Sequence, residues 1–178
     1  MTWLRCLVSC ALSRPHRICG PSAFAMPLAT PSGILPLTAA SGRCLSPAFF
    51  KDPGTNYALA SRLPDYALIA DPAVVSGAVA AKPGDLVVLW GTGFGATNPP
   101  TPAGIAVSGA PVVSAATTVS IAGVSVPVIS AVLTTGCAGL YQVTIQLPAS
   151  VPAGAVSVQA SVGGFQSPSG VSLYVAKP

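Results

Sequence analysis

The chain of 178 residues is 51% hydrophobic and only 7% charged, where an ordinary soluble domain carries about 25% charged residues. Its apolar residues are interrupted every few positions by Ser, Thr, Gly or Pro, so no window approaches the ~20 uninterrupted apolar residues of a membrane-spanning helix. The formal charge of +4 sits early, in Arg5, Arg14, Arg17, Arg43, Lys51 and Arg62, and after Pro83 only Asp85 and Lys177 are charged; this distribution lacks the basic stripe and interleaved aromatics of a nucleic-acid binder.

Residues 1–56 read as a leader or linker, poorly ordered and without a domain of its own. They hold four of the five cysteines and the single histidine, and they show neither helical nor strand periodicity. Three readings stay open. Arg5, the apolar "CLVSCAL" and "AFA" at 23–25 have the order of a secretion signal, although Arg14, His16 and Arg17 interrupt it. A disordered Pro-, Ser- and Ala-rich tail is the second, and a start placed too far upstream is the third. Cys6, Cys10, His16 and Cys19 are spaced C-x3-C-x5-H-x2-C, which is not a standard zinc pattern, so no metal is expected. Cys137 stands alone later in the chain; a bridge to Cys44 is conceivable but nothing in the sequence supports it.

From Tyr57 onward the text turns to short strands between Gly and Pro turns. "YALIA" at 66–70 is the first, and the turn Lys82-Pro83-Gly84-Asp85 leads into "LVVLW", apolar throughout and therefore a central strand covered on both faces. A short piece is expected near Ile105 to Val113. "TTVSIAGVSVPVI" reads as a hairpin with a tight Ala122-Gly123 turn. "YQVTIQL" places Tyr141, Val143, Ile145 and Leu147 on one face, and "AVSVQASV" does the same with Val156, Val158, Ala160 and Val162. Gly163-Gly164 turns the chain before "VSLYVA", where Val171, Leu173 and Val175 face one way. About seven strands, most of them with one polar face, predict an all-β, immunoglobulin-like antiparallel β-sandwich over 57–178.

The stretch "LWGTGFGATNPPTP" at 89–102 is the best candidate for ligand chemistry. Gly91, Gly93 and Gly95 follow an apolar strand, as in phosphate-binding loops. A dinucleotide fingerprint, however, needs its third glycine one residue later and a helix to receive the phosphate. Asn98-Pro99-Pro100-Thr101-Pro102 forbids that helix, because proline lacks the amide donor and restricts its predecessor. No lysine lies between Lys82 and Lys177 to complete a Walker loop. The loop therefore reads as a turn in which Phe94, with Trp90, folds back to plug the open end of the sandwich; an aromatic sugar-binding patch is the rival reading. No cofactor is expected.

Catalysis needs positioned acids, bases or metals, and residues 57–178 contain neither His nor Glu. Asp85 reads as the cap of its turn, leaving only Asp65 or Asp71 to make a carboxylate pair with it. No catalytic residues are expected.

"KPGDLVVLWGTGFGATNPPTPAG", "VSIAGVSVPVISA", "GLYQVTIQLPASVPAG" and "GGFQSPSGVSLYVA", in that order, resemble a C-terminal module of secreted acidobacterial proteins related to the immunoglobulin-like TIG/IPT domains. The resemblance covers about residues 66–178. It implies that Pro83-Gly84 opens the first strong strand, that Gly91 to Gly95 form the G-x-G-F-G turn, and that Gly139 to Val143, with Tyr141 among them, open a late strand. It also implies an extracellular or cell-surface domain without catalytic residues, serving as a structural or interaction module. The alternative is a carbohydrate- or protein-binding module that uses exposed β edges and aromatics such as Tyr141, Phe165 and Tyr174 against a surface protein or glycan.

Overall fold

A computed structural model describes residues 45–177; the signal-like segment, Cys6, Cys10, His16 and Cys19, and Cys44 lie outside the described residues. In chain order the strands are β1 (Ala48–Phe49), β2 (Ala60–Leu63), β3 (Ala67–Leu68), β4 (Leu86–Thr92), β5 (Thr97–Asn98), β6 (Val112–Val113), β7 (Thr117–Ile121), β8 (Val124–Val126), β9 (Val128–Leu133), β10 (Tyr141–Gln146), β11 (Gly154–Val162), β12 (Phe165–Gln166) and β13 (Ser172–Val175). Seven of these run to four residues or more, and they carry most of the strands read from periodicity. Of the six shorter strands, β3, β6 and β8 fall within stretches expected to form strands, whereas β1, β5 and β12, two residues each, cannot display an alternation.

Two antiparallel sheets pack as a sandwich. The first runs β3-β2-β4-β10-β9-β6-β5 with β1 also on β4, and the second runs β12-β11-β7-β8 with β13 also on β11. The predicted hairpin is β7 and β8, with Ile121 opposite Val124 and both turn residues at positive φ, 51° at Ala122 and 80° at Gly123. That is the turn whose twist matches the flanking strands. Pro127 then separates β8 in one sheet from β9 in the other, and its missing amide donor suits a point where pairing changes partner.

Alternation fills the space between the sheets. Val87 and Leu89 of β4 and Val143 and Ile145 of β10 meet Val119 and Ile121 of β7, Val158 and Val162 of β11, and Leu173 of β13. Strand β4 is central, flanked by β10 on one side and by β2 and β1 on the other. Its second face is also covered, by a smaller cluster in which Val88, Trp90 and Leu140 pack with Phe50, Leu59, Leu63 and Cys137.

Three expectations are corrected. The sandwich starts at least as early as Leu45 rather than at Tyr57: β1 pairs with β4, and Phe49 is a core residue. Trp90 does not join Phe94 in plugging the core. Period two along β4 puts Trp90 on the face of Val88, and its indole N–H points to Ser61 Oγ at 3.4 Å. Between Ile105 and Val113 only Val112–Val113 is a strand, while Ile105 is exposed.

Candidate functional site: a filled glycine loop and an uncharged sheet face

The glycine loop is occupied by its own chain. Residues 45–50 lie across it as a strap, with Ser46 N–H donating to Gly93 O at 3.1 Å and Phe50 N–H to Trp90 O at 2.9 Å. A Cβ on Gly93 would stand 2.0 Å from Ser46 O, one on Gly91 2.6 Å from Ala48 O, and one on Gly95 2.3 Å from a methyl of Leu45. Gly93 and Gly95 also hold φ of +77° and +91°, a region costly for any residue with a Cβ. Beneath the strap, Phe94 is fully buried between Phe49 and Tyr141, with ring centroids 5.8 and 5.5 Å away. The Tyr141 hydroxyl donates to Gly95 O. The glycines therefore permit a close crossing of two chain segments, and the space a phosphate would need holds main chain.

The other motif residues also work in the scaffold. Gly84 takes φ +88° in its turn, and the Asp85 carboxylate accepts from Lys82 N–H at 2.8 Å, the predicted cap. Gly139 has φ +70°, and its carbonyl accepts from the Thr92 hydroxyl at 3.1 Å. Tyr141, one of the aromatics considered for ligand contact, is only 6% exposed; its register position on β10 points it at the core, and that reading is corrected.

Phe165 and Tyr174 are accessible but are not neighbours. Phe165 is exposed beside the Gly163-Gly164 turn and pairs with Val162, whereas Tyr174 pairs with Ala155. Seven residue steps of β11 separate those partners, about 24 Å at 3.4 Å per residue. Tyr174 instead meets Tyr57, edge to face at 6.1 Å. Partial burial, the Asp71 carboxylate and Tyr174 together raise the Tyr57 phenol above its usual pKa. The sequence offered no sign of this pair, because Tyr57 lies outside any alternating run.

Around Tyr174 extends an uncharged surface. Residues opposite one another in antiparallel strands share a face, so the outer side of the second sheet follows from its register. Tyr174 and Ala155 form one row, then Ser172 and Ser157, then Gln159, Ser120 and Ser125, then Gln166, Ser161 and Thr118. The last two rows border a shallow depression of about 230 Å³ lined by their Ser, Thr and Gln residues together with Val119, Gly123 and Ala160.

The carboxylates of Asp65, Asp71 and Asp85 are engaged locally. The Asp65 carboxylate is held by Arg62, which donates to it from Nε at 3.2 Å and also from Nη2. That contact keeps Asp65 below its usual pKa. Asp71 accepts from Ala73 N–H at 2.9 Å. Between 45 and 177, Lys51, Arg62, Lys82 and Lys177 offset Asp52, Asp65, Asp71 and Asp85, four positive against four negative. Compared with protein-family models, with curated proteins and with solved structures, the chain matches none.

Proposed function

We propose that the chain is a non-catalytic structural or interaction module of immunoglobulin-like, TIG/IPT-related type, working outside the cell or at its surface. The observation that carries this reading is the filled glycine loop. The one stretch with a catalytic look is spent on joining residues 45–50 to the sandwich, with Ser46 against Gly93 and Leu45 against Gly95. The carboxylates of Asp71 and Asp85 cap local turns, and that of Asp65 pairs with Arg62. A rigid sandwich with few charges and a hydroxyl- and amide-covered outer face suits a spacer or contact domain.

Two measurements test it. Protease treatment of intact source cells should remove the chain from immunoblots; protection until the cells are lysed would place it inside and sink the surface reading. Purified protein should leave a panel of ester, glycoside, phosphoester and peptide substrates unchanged. Turnover abolished by Asp71→Asn or Asp85→Asn would make it an enzyme instead.

A further inference from the structure

We propose that the outer face of the five-stranded sheet binds a neutral glycan, laid along β11 from Tyr174 to Gln166. This rests on the reading of the chain as an interaction module and names its ligand class. The face is continuous in register: Tyr174 beside Ala155, Ser157 beside Ser172, Gln159 beside Ser120, and Ser161 between Thr118 and Gln166. From Ala155 to Ser161 is six steps, about 20 Å, the length of a short oligosaccharide. At its far end the face dips into the depression floored by Gln159, Ser161 and Gln166. At its near end it carries a half-buried tyrosine ring braced by Tyr57.

Charge selects among ligands. None of the rows holds Lys, Arg, Asp or Glu, so a phosphate, a carboxylate or a basic peptide would lose hydration there without gaining a counter-charge. An apolar partner would leave the hydroxyls and amides without hydrogen bonds. Serine, threonine and glutamine side chains both donate and accept, as sugar hydroxyls do, so the two sets pair in many orientations. The ring of Tyr174 supplies the apolar surface against which the C–H face of a sugar packs.

The test uses the full chain and insoluble cellulose, chitin, xylan, mannan and β-1,3-glucan, with the unbound fraction measured against protein concentration. Saturable retention on at least one is expected, unchanged between about 50 and 500 mM salt because no charges take part. Tyr174→Ala and Gln159→Lys should each weaken it by about tenfold or more. Phe165→Ala should leave it intact, because its register partner Val162 faces the core. Gln159 lies on the outer face, so Gln159→Lys tests the face without disturbing the core, and each variant's urea midpoint checks its folding. No retention on any of the five overturns the proposal, as does retention that survives both variants, retention lost only with Phe165→Ala, or retention abolished by raising the salt. These outcomes leave the non-catalytic reading standing; release of soluble sugar from the matrix would sink that reading instead.

Discussion

Gly93→Ala is the sharpest probe of how the sandwich is closed. The new methyl would meet Ser46 O at 2.0 Å, and Gly93 sits at φ +77°. The obstacle is main chain, so rotation of a side chain cannot relieve it. Placing a Cβ in the left-handed region costs about 1–2 kcal/mol. If the strap lifts, the Ser46–Gly93 hydrogen bond is lost, about 1 kcal/mol. Phe49, 7% exposed in the fold, then becomes accessible, at about 1.5–3 kcal/mol. The sum is about 3.5–6 kcal/mol. Gly84→Ala supplies the control, since Gly84 has φ +88° but nothing within 4 Å of a new Cβ, and it should cost only the left-handed share, about 1–2 kcal/mol. Urea unfolding followed by circular dichroism measures both. The gap of about 2.5–4 kcal/mol corresponds to a difference in Tm on the order of 10 °C for a domain of this size.

Truncation isolates the strap. A chain beginning at Lys51 should be less stable than one beginning at Leu45, and in the shorter chain Gly93→Ala should cost no more than Gly84→Ala. Equal losses for the two variants in the full chain would refute the account, because the glycine would then be required by the turn and not by the crossing.

Trp90→Ala should cost about 3–5 kcal/mol in urea unfolding although Trp90 lies outside the main core, because it anchors the cluster with Val88 and Leu140; a near-neutral result would make that cluster a surface feature. Ala122→Gly should raise stability by about 0.5–1 kcal/mol, since Ala122 holds φ 51° and glycine relieves that strain; a loss would refute the turn geometry. The Tyr57 phenol is raised in the fold. Its contribution is therefore complete below about pH 10 and lost as pH rises through the folded pKa, and Tyr57→Phe should flatten the alkaline fall in Tm. Asp65 is lowered by Arg62, so its contribution is present above about pH 4 and lost as pH falls through the folded value. Asp65→Asn should remove that acid slope, which is small for so exposed a pair.

The long strands were legible because each buries one face, and a buried face must repeat every second residue. Tyr141, Val143, Ile145 and Leu147, like Val156, Val158, Ala160 and Val162, are buried as their spacing predicts. The predicted turn at Asp85 was legible for a different reason, since a carboxylate beside Pro-Gly has a local hydrogen bond to make. The strap was not legible. "LSPAFF" contains a proline and too few residues to alternate, and its binding partners lie more than forty positions away, at Gly91, Gly93 and Gly95. No local pattern records which segment lies against a glycine; the sequence records only that something must come close. For the same reason Trp90 and Phe94 looked like a single plug. Their nearness in sequence hides the alternation that sends Trp90 to the outer cluster, and also hides the glycine turn that brings Phe94 back into the core.

The candidate site shows the same limit from the other side. Apart from Gln166 in the two-residue β12, each serine, threonine and glutamine on the outer face was visible as the polar half of an alternating strand. Their common surface was not, because it depends on the registers that set Tyr174 beside Ala155 and Gln159 beside Ser120. Residues that face solvent carry no packing constraint that would betray their neighbours. A buried core announces itself in one strand at a time, whereas a binding face of neutral side chains exists only once the strands are paired.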